Sequence, residues 1–311
     1  MSYRIFDGHC DTPIELWRQG QALGENTLAV SLARGAKLSG WAQFFAFCTA
    51  WVEQKLPRPE IFSRALDCFL AQLRENEDKI TLCRTAADAE AAMQAGKCAA
   101  FLAIEGAEAV REDEGLLEAA YAAGVRMISL VWNLPNSLAG SCATGEGLTP
   151  KGKAFFRRAQ ALGMLVDVSH LSEKGFWDMA ELAERPIVAS HSDSAAVCPH
   201  ARNLTDAQFK AIRDLGGTAG LNLYAPFLTA QPRATFDDLR RHLDHFLKLD
   251  GEGHLALGAD LDGCELLPEG FSGLDDYNKL GDALSASGYS DKTIQNLFCN
   301  SLMKVVKTCI M

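Results

Sequence analysis

Imidazole and carboxylate side chains recur along this chain in short clusters of a kind that binds divalent cations. Asp7-Gly-His9-Cys-Asp11 sets a histidine two residues before an aspartate, and Ile104-Glu105-Gly106 supplies a second acid. Asp167-Val-Ser-His170, Ser190-His191-Ser192-Asp193 and Asp260-Leu-Asp262-Gly263 extend the set. Imidazole and carboxylate are the usual non-thiolate ligands of zinc, and a catalytic zinc keeps one position open for water. The chemistry open to such a set is metal-assisted hydrolysis.

Taken singly, each residue has a plainer reading. His170 or His191 fits a hydrogen bond to a loop carbonyl, Asp11 fits a helix N-cap before Pro13-Ile14-Glu15, and Glu105 fits an ion pair with an arginine. Asp260 or Asp262 fits a turn before Gly263. Joint occurrence favours the metal reading, because the chain has seven histidines and three of them close candidate strands. His200, His242, His245 and His254 read as structural. His242-x-x-His245 has ligand-like spacing but falls in the charged helical stretch Asp238–Lys248.

The elements that must position these groups follow from a rhythm of short apolar runs alternating with longer amphipathic ones, the pattern of βα units and a parallel sheet. The strands predicted are Tyr3–Asp11, Trp41–Cys48, Ala99–Glu105, Arg126–Trp132, Gly163–His170, Pro186–His191, Gly217–Tyr224 and His254–Asp260. Helices are expected over Lys151–Leu162 after Thr149-Pro150, Glu173–Glu184 after Ser172, and Ala207–Leu215 after Thr205-Asp206. Thr235 opens another to Leu249, and Ser290-Asp291 opens the last. Eight such units imply an α/β fold of the (β/α)8 TIM-barrel type, one domain over residues 1–311. An open doubly wound sheet is the alternative, weakened by the lack of a GxGxxG turn after the first strand. In the barrel all C-terminal strand ends open onto one face, so the clusters converge there. Alternation along a strand sends His9 and Asp11 to the same side and Cys10 to the other.

Composition narrows the function. Hydrophobic residues make up 48% and charged residues 23%, which suits a large packed core. The net charge of −10 argues against nucleic-acid binding. No apolar run approaches the ~20 residues of a membrane helix, and the opening Met1-Ser-Tyr-Arg lacks an apolar signal core. The expectation is a cytoplasmic protein without membrane contact. Ten scattered cysteines without a CxxC pair are expected to be free thiols packed in the core.

Several segments resemble the membrane (renal) dipeptidase family. They are Asp7-Gly-His9-Cys-Asp11-Thr-Pro13, Ile104-Glu105-Gly106, Gly147-Leu-Thr-Pro150-x-Gly152, Val166-Asp-Val-Ser-His170-Leu-Ser172, Ser190-His191-Ser192, Arg202-Asn203 and Gly258-Ala-Asp260-Leu-Asp262-Gly263. The order and spacing agree from residue 3 to about 308. The resemblance implies an amidohydrolase-type barrel that cleaves the amide bond of dipeptides, those with a D-residue at the C-terminal position included. It implies two zinc ions, His9 and Asp11 on one, His170 and His191 on the other, with Glu105 and a hydroxide bridging them. It makes that hydroxide the nucleophile, Asp260 the group that orients it and shuttles its proton, and Arg202 the clamp for the substrate's C-terminal carboxylate. Tyr224 matches a family position near the substrate, and a homodimer is implied as well.

Two positions depart from the family pattern. Trp132 stands where mammalian members carry a histidine that polarises the scissile carbonyl, and indole cannot carry a positive charge. Asn133 is expected to point the other way, as a strand neighbour. Cys10 replaces the usual asparagine between the first two ligands and reads as packing. A related hydrolase of N-acyl amino acids or modified dipeptides would use the same metals and Arg202. A noncatalytic binding protein on a degenerate barrel is disfavoured by retention of every ligand and Asp260.

Overall fold

Strand β1 (Arg4–Cys10) begins a ring that the computed structural model describes over residues 2–53 and 55–310. Met1, Gln54 and Met311 lie outside the described residues. The other strands are β2 (Gly40–Cys48), β3 (Ile80–Leu82), β4 (Cys98–Glu105), β5 (Val125–Ser129), β6 (Leu165–Asp167), β7 (Ile187–Val188), β8 (Ala219–Leu221) and β9 (Leu255–Leu257). Their order is β7-β6-β5-β4-β2-β1-β9-β8, with every pairing parallel. The ring closes between β7 and β8, where Ala189 N donates to Thr218 O at 3.0 Å and Gly220 N to Ala189 O at 2.8 Å. The fold is therefore the eight-stranded (β/α)8 barrel. The short β3 was not anticipated: it extends the sheet beside the first residues of β4, Ile80 opposite Cys98, before β5 takes over that edge at Leu102. Three residues are too few for an alternation pattern to be read.

Alternation sorts the side chains of each long strand into two layers. Ala42, Phe44 and Ala46 of β2 and Ala99, Phe101 and Ala103 of β4 share one cluster with Phe6, Leu165, Val188 and Ala256, the barrel interior. Phe6, Phe44 and Phe101 stack there at 5.1–5.6 Å. Helix Ser301–Cys309 closes the lower end with Leu302, Met303 and Val306. The neighbouring residues Phe45, Phe47, Leu102 and Ile104 face the surrounding helices instead.

The predicted helices form with the predicted caps. Thr149, Ser172, Thr205, Thr235 and Ser290 each accept a hydrogen bond from a backbone N–H of the first turn, worth about 1 kcal/mol apiece. All ten cysteines are free and seven are buried, Cys10 within the outer core. Among the described residues no helix is long and apolar enough to cross a membrane.

The ends of five strands need correction. Regular pairing stops at Ser129, Asp167, Val188, Leu221 and Leu257, about three residues before the predicted ends. His170 and Asp260 have φ of 71° and 59°, which no extended run can pass through. At β5 the Ser129 hydroxyl takes over from the ladder, accepting from Gly106 N at 3.0 Å and bonding Val131 O at 3.3 Å. The functional groups therefore sit on short loops just above the barrel rather than on the strands.

Below those loops the barrel is narrow. The Ser190 carbonyl occupies the space that a Cβ would need at both Gly220 and Gly258, and it also approaches Gly8. Gly258→Ala would drive a methyl group into this backbone oxygen, which has no free side chain to swing aside. The expected outcome is a loss of about 3 kcal/mol in urea unfolding; unchanged stability would show that the ring can widen at this level.

Candidate metal centre and active site

β1 carries one residue more than its partner strand. Asp7 pairs with Gln43, but Cys10 pairs with Phe45, so the register slips by one between them. Phe6 faces the interior; strict alternation would then turn His9 outward. The bulge reverses this: Cys10 joins the outer core and His9 turns into the barrel mouth. Asp11 follows at the start of helix Thr12–Gln19, yet its side chain makes no capping hydrogen bond. Glu105 ends β4 on its inward side, and no arginine pairs with it.

These groups meet the histidines from the far side of the ring. His9 Nε2 lies 3.6 Å from Asp11 Oδ2, 3.5 Å from Glu105 Oε2 and 3.8 Å from Asp260 Oδ1. Glu105 Oε1 lies 2.7 Å from His170 Nε2 and 3.4 Å from His191 Nε2, and those two nitrogens are 3.0 Å apart. The ligand atoms thus fall into two triads, His9–Asp11–Glu105 and Glu105–His170–His191, sharing one carboxylate, with Asp260 beside His9 and His191. A tetrahedral ion with bonds of about 2.0–2.1 Å spaces its ligands about 3.3 Å apart. The separations within the triads, from 2.7 to 3.6 Å, bracket that spacing.

Hydrogen bonding behind the ring nitrogens decides what they present. Ser190 Oγ donates to Asp167 Oδ2 at 2.6 Å, so it accepts from His191 Nδ1, also at 2.6 Å. Asn133 Oδ1 stands 2.9 Å from His170 Nδ1 and accepts from it in the same way. Both Nε2 atoms then present lone pairs toward each other and Glu105. Buried His9 Nδ1, His9 Nε2 and Asp11 Oδ1 have no hydrogen-bond partner. Buried acceptors aimed at one another are costly unless a cation lies between them, so the donor set fits a pair of metal ions.

Charge tells the same story. Burial works against the cation on His9, but Glu105 and Asp11 outweigh it and hold this imidazole well above its ordinary pKa. Glu105, despite burial, is held well below its own by His9 and His170. Burial pushes Asp11 up to about 8, with Glu105 and Asp260 adding to it. Burial and the nearby Arg202 push His170 down to about 4, so it offers a neutral ring. Positive charge is what the acid side of the site lacks, and a metal entering there displaces a proton.

The remaining predicted residues surround this centre. Asp260 Oδ2 accepts from Asn222 Nδ2 at 3.2 Å, which aims Oδ1 at His9. Arg202 is buried, with Nη2 3.0 Å from His170 Nε2 and Nη1 3.4 Å from Ser192 Oγ. It forms no ion pair among the described residues, and its Nε is buried without a partner. An uncompensated buried guanidinium is a ready receptor for a carboxylate. Trp132 lines the pocket, its ring centre 6.3 Å from that of His170. Tyr224 sits farther out, edge-on to Phe227 at 4.9 Å. Asn133 corrects the alternation argument, because β5 has already ended and its side chain turns to His170. Asp262 is structural, accepting from Thr12 Oγ1 and Ala29 N at 2.7 Å each. The four other histidines bond loop or helix partners: His242 to Leu228 O, His245 to Asp206, His254 to Gly217 O, and His200 to Arg202 N.

The cavity over the ligands measures about 410 Å³. A larger groove of about 840 Å³ beside Cys142 and Trp177 includes none of the converging ligands. Sequence reasoning did not find Asn133, Ser190 and Asn222 as supports, nor the loop Asp262–Glu265 as a pocket wall. A Cβ at Gly263 would collide with both Asp11 Oδ2 and Asp260 Oδ1, so this glycine lets the loop close over the acids.

Residues 1–310 match the family described as Membrane dipeptidase (Peptidase family M19). A curated relative from Klebsiella pneumoniae, an uncharacterised protein in the pqqA 5' region, is 40% identical over 241 residues, 74% of this chain and 89% of that one. With three further curated relatives the aligned region spans 53–60% of the relative's length. Among solved structures, a metallopeptidase named dipeptidase AC superposes with a TM-score of 0.91 at 29% identity, covering 100% of this chain and 99% of that one. A Rhodobacter sphaeroides metallopeptidase, solved with a phosphinate mimic of the dipeptide L-Ala-D-Ala, gives 0.90 at 29% identity, covering 99% and 100%.

The Asp167–Ser190–His191 relay generates a specific expectation. Ser190→Ala leaves His191 Nδ1 without its acceptor and frees the ring to turn, so metal affinity falls about 10–100-fold. Competition with a chromophoric chelator measures this directly, with Ser190→Thr retaining affinity; equal affinity in Ser190→Ala would remove the relay from the design.

Proposed function

Since the chain belongs to the membrane dipeptidase family, we propose that it is a metal-dependent dipeptidase that holds two zinc ions and cleaves the amide bond of a dipeptide with a free C-terminal carboxylate. The observation that carries this reading is the pair of ligand triads sharing Glu105, flanked by Asp260 and by the unpaired Arg202. His9 and Asp11 would hold one ion, His170 and His191 the other, and Glu105 both. When bound, such ions polarise a carbonyl oxygen and lower the pKa of water to about 7.

The side chains of the chain do the rest. Arg202 takes the substrate carboxylate with its N–H fork, which fixes the C-terminal residue against the His170 side of the site. Asn222 holds Asp260 in place by one oxygen, leaving the other to accept a proton from the attacking water. Asp260 returns that proton to the amide nitrogen as the C–N bond breaks, so one water yields an acid and an amine. Asn133 is engaged with His170 and gives no substitute for a carbonyl-polarising histidine. Trp132 instead supplies an apolar wall that limits water around the scissile bond. A cavity of about 410 Å³ suits a ligand of dipeptide size.

Purified protein should contain about two zinc per chain, cleave dipeptides with L or D C-terminal residues, lose activity to a chelator and regain it with zinc. Bound metal without cleavage of any dipeptide would refute the substrate assignment. Arg202→Ala should reduce kcat/KM by at least about 100-fold on free dipeptides, the loss expected when a buried charged hydrogen bond is removed. It should act far less on C-terminal amides, and equal losses on both would take Arg202 out of the carboxylate clamp.

A further inference from the structure

The pocket in front of the ligands is lined by an arginine that the reading above does not use. Arg18 comes from helix Thr12–Gln19, one residue short of its end, and lines the same cavity as Asp11, Glu105 and His170. Its Nε lies 3.1 Å from Glu15 Oε1 and its Nη2 2.7 Å from Glu15 Oε2. Glu15 is buried, and Gln19 donates to it as well. The Arg18 Cζ lies 5.7 Å from the ring centre of Trp51. A surface i,i+3 pair normally leaves both partners mobile. Here the acid is buried, and an aromatic ring lies beneath the guanidinium.

That arrangement orients the fork. Glu15 occupies the edge formed by Nε and Nη2, and Nη1 has no partner among the described residues. That edge is left free, on a side chain that is 45% exposed and lines the cavity. Arg202 receives a carboxylate on the His170 side, whereas Arg18 stands on the helix that follows Asp11. A dipeptide stretched across the ligands from Arg202 brings the side chain of its N-terminal residue to Arg18.

We propose that Arg18, fixed by Glu15 and Trp51, is a specificity-determining residue that binds a side-chain carboxylate on the N-terminal residue, so that dipeptides beginning with aspartate or glutamate are preferred. The assignment rests on the dipeptidase reading. The guanidinium fork matches the two oxygens of a carboxylate, whereas a neutral amide gives it one carbonyl oxygen and no opposite charge. Opposing it are Asp262 and Glu265 across the pocket, which would attract a cationic side chain. Asp262 already accepts from Thr12 and Ala29, and Glu265 is exposed to solvent, so Arg18 is the better anchored charge.

The test compares kcat/KM of the zinc-loaded full chain on Glu-Ala, Gln-Ala, Lys-Ala and Ala-Ala. Glu-Ala should exceed Gln-Ala by about tenfold or more, the discrimination that one charge-assisted hydrogen bond gives. Arg18→Gln should bring that ratio to about one. Calorimetric binding of phosphinate mimics of Glu-Ala and Gln-Ala should follow the same ratio. The proposal is overturned if Glu-Ala is no better than Gln-Ala, if Lys-Ala outranks Glu-Ala, or if Arg18→Gln keeps the preference. Cleavage of Ala-Ala in those cases leaves the dipeptidase reading standing. Failure to cleave any of the four overturns both.

Discussion

Lone pairs that face one another in a dry pocket repel, and this chain gathers many of them around Glu105. The Nε2 atoms of His170 and His191 come within 3.0 Å of each other, with a carboxylate oxygen 2.7 Å from one of them. On the other side His9 is ringed by oxygens of Asp11, Glu105 and Asp260. Among the described residues the one donor that reaches the imidazole pair is Arg202 Nη2. Such an arrangement is stable only with positive charge inside it. Much else in the molecule can be read as a means of holding these groups together against their mutual repulsion.

The means are distributed through the top of the barrel. A bulge in β1 turns His9 inward, and left-handed backbone at His170 and Asp260 aims their side chains where an extended strand could not. Non-glycine residues in that region carry backbone strain, of order 1 kcal/mol or more each. Ser190, Asn133 and Asn222 each hold one functional group by its rear atom. Glycine at 263 lets the loop after Asp260 approach Asp11. Asn133 and Asn222 come from loops distant in sequence from the groups they hold, and Ser190, next to His191, is itself held by distant Asp167, so the site is rigid only once the ring has closed.

The pocket above the centre divides by charge. Arg202 lies on the His170 side with no ion-pair partner among the described residues, and Arg18 on the Asp11 side with its Glu15 anchor. Trp132 lines the same pocket with an indole, and its neighbour Asn133 is already committed to His170. In the proposed reading, this apolar wall leaves the electrostatics to the metal ions and the two arginines.

Much of the architecture was written in local pattern. Eight apolar runs, and helix starts at Thr149, Ser172, Thr205, Thr235 and Ser290, follow from side-chain alternation and capping, which depend on near neighbours alone. The ligand types and their places at strand ends were legible for the same reason, since a parallel barrel brings all those ends to one face. The orientation of each side chain was not. Alternation placed His9 and Asp11 together, but which way they faced depended on a register slip against β2, a relation between two chains of residues some thirty-five apart. Asn133, Ser190 and Asn222 carry no spacing signal, because an amide or hydroxyl becomes a support only when a distant imidazole or carboxylate lies within 3.2 Å of it, as Asp167 does for Ser190. Local sequence thus determined which elements form and which chemistry they can carry. Closure of the ring decided which atoms face one another, because hydrogen bonds and ligand contacts of a few ångströms depend on relations across the barrel that no local window contains.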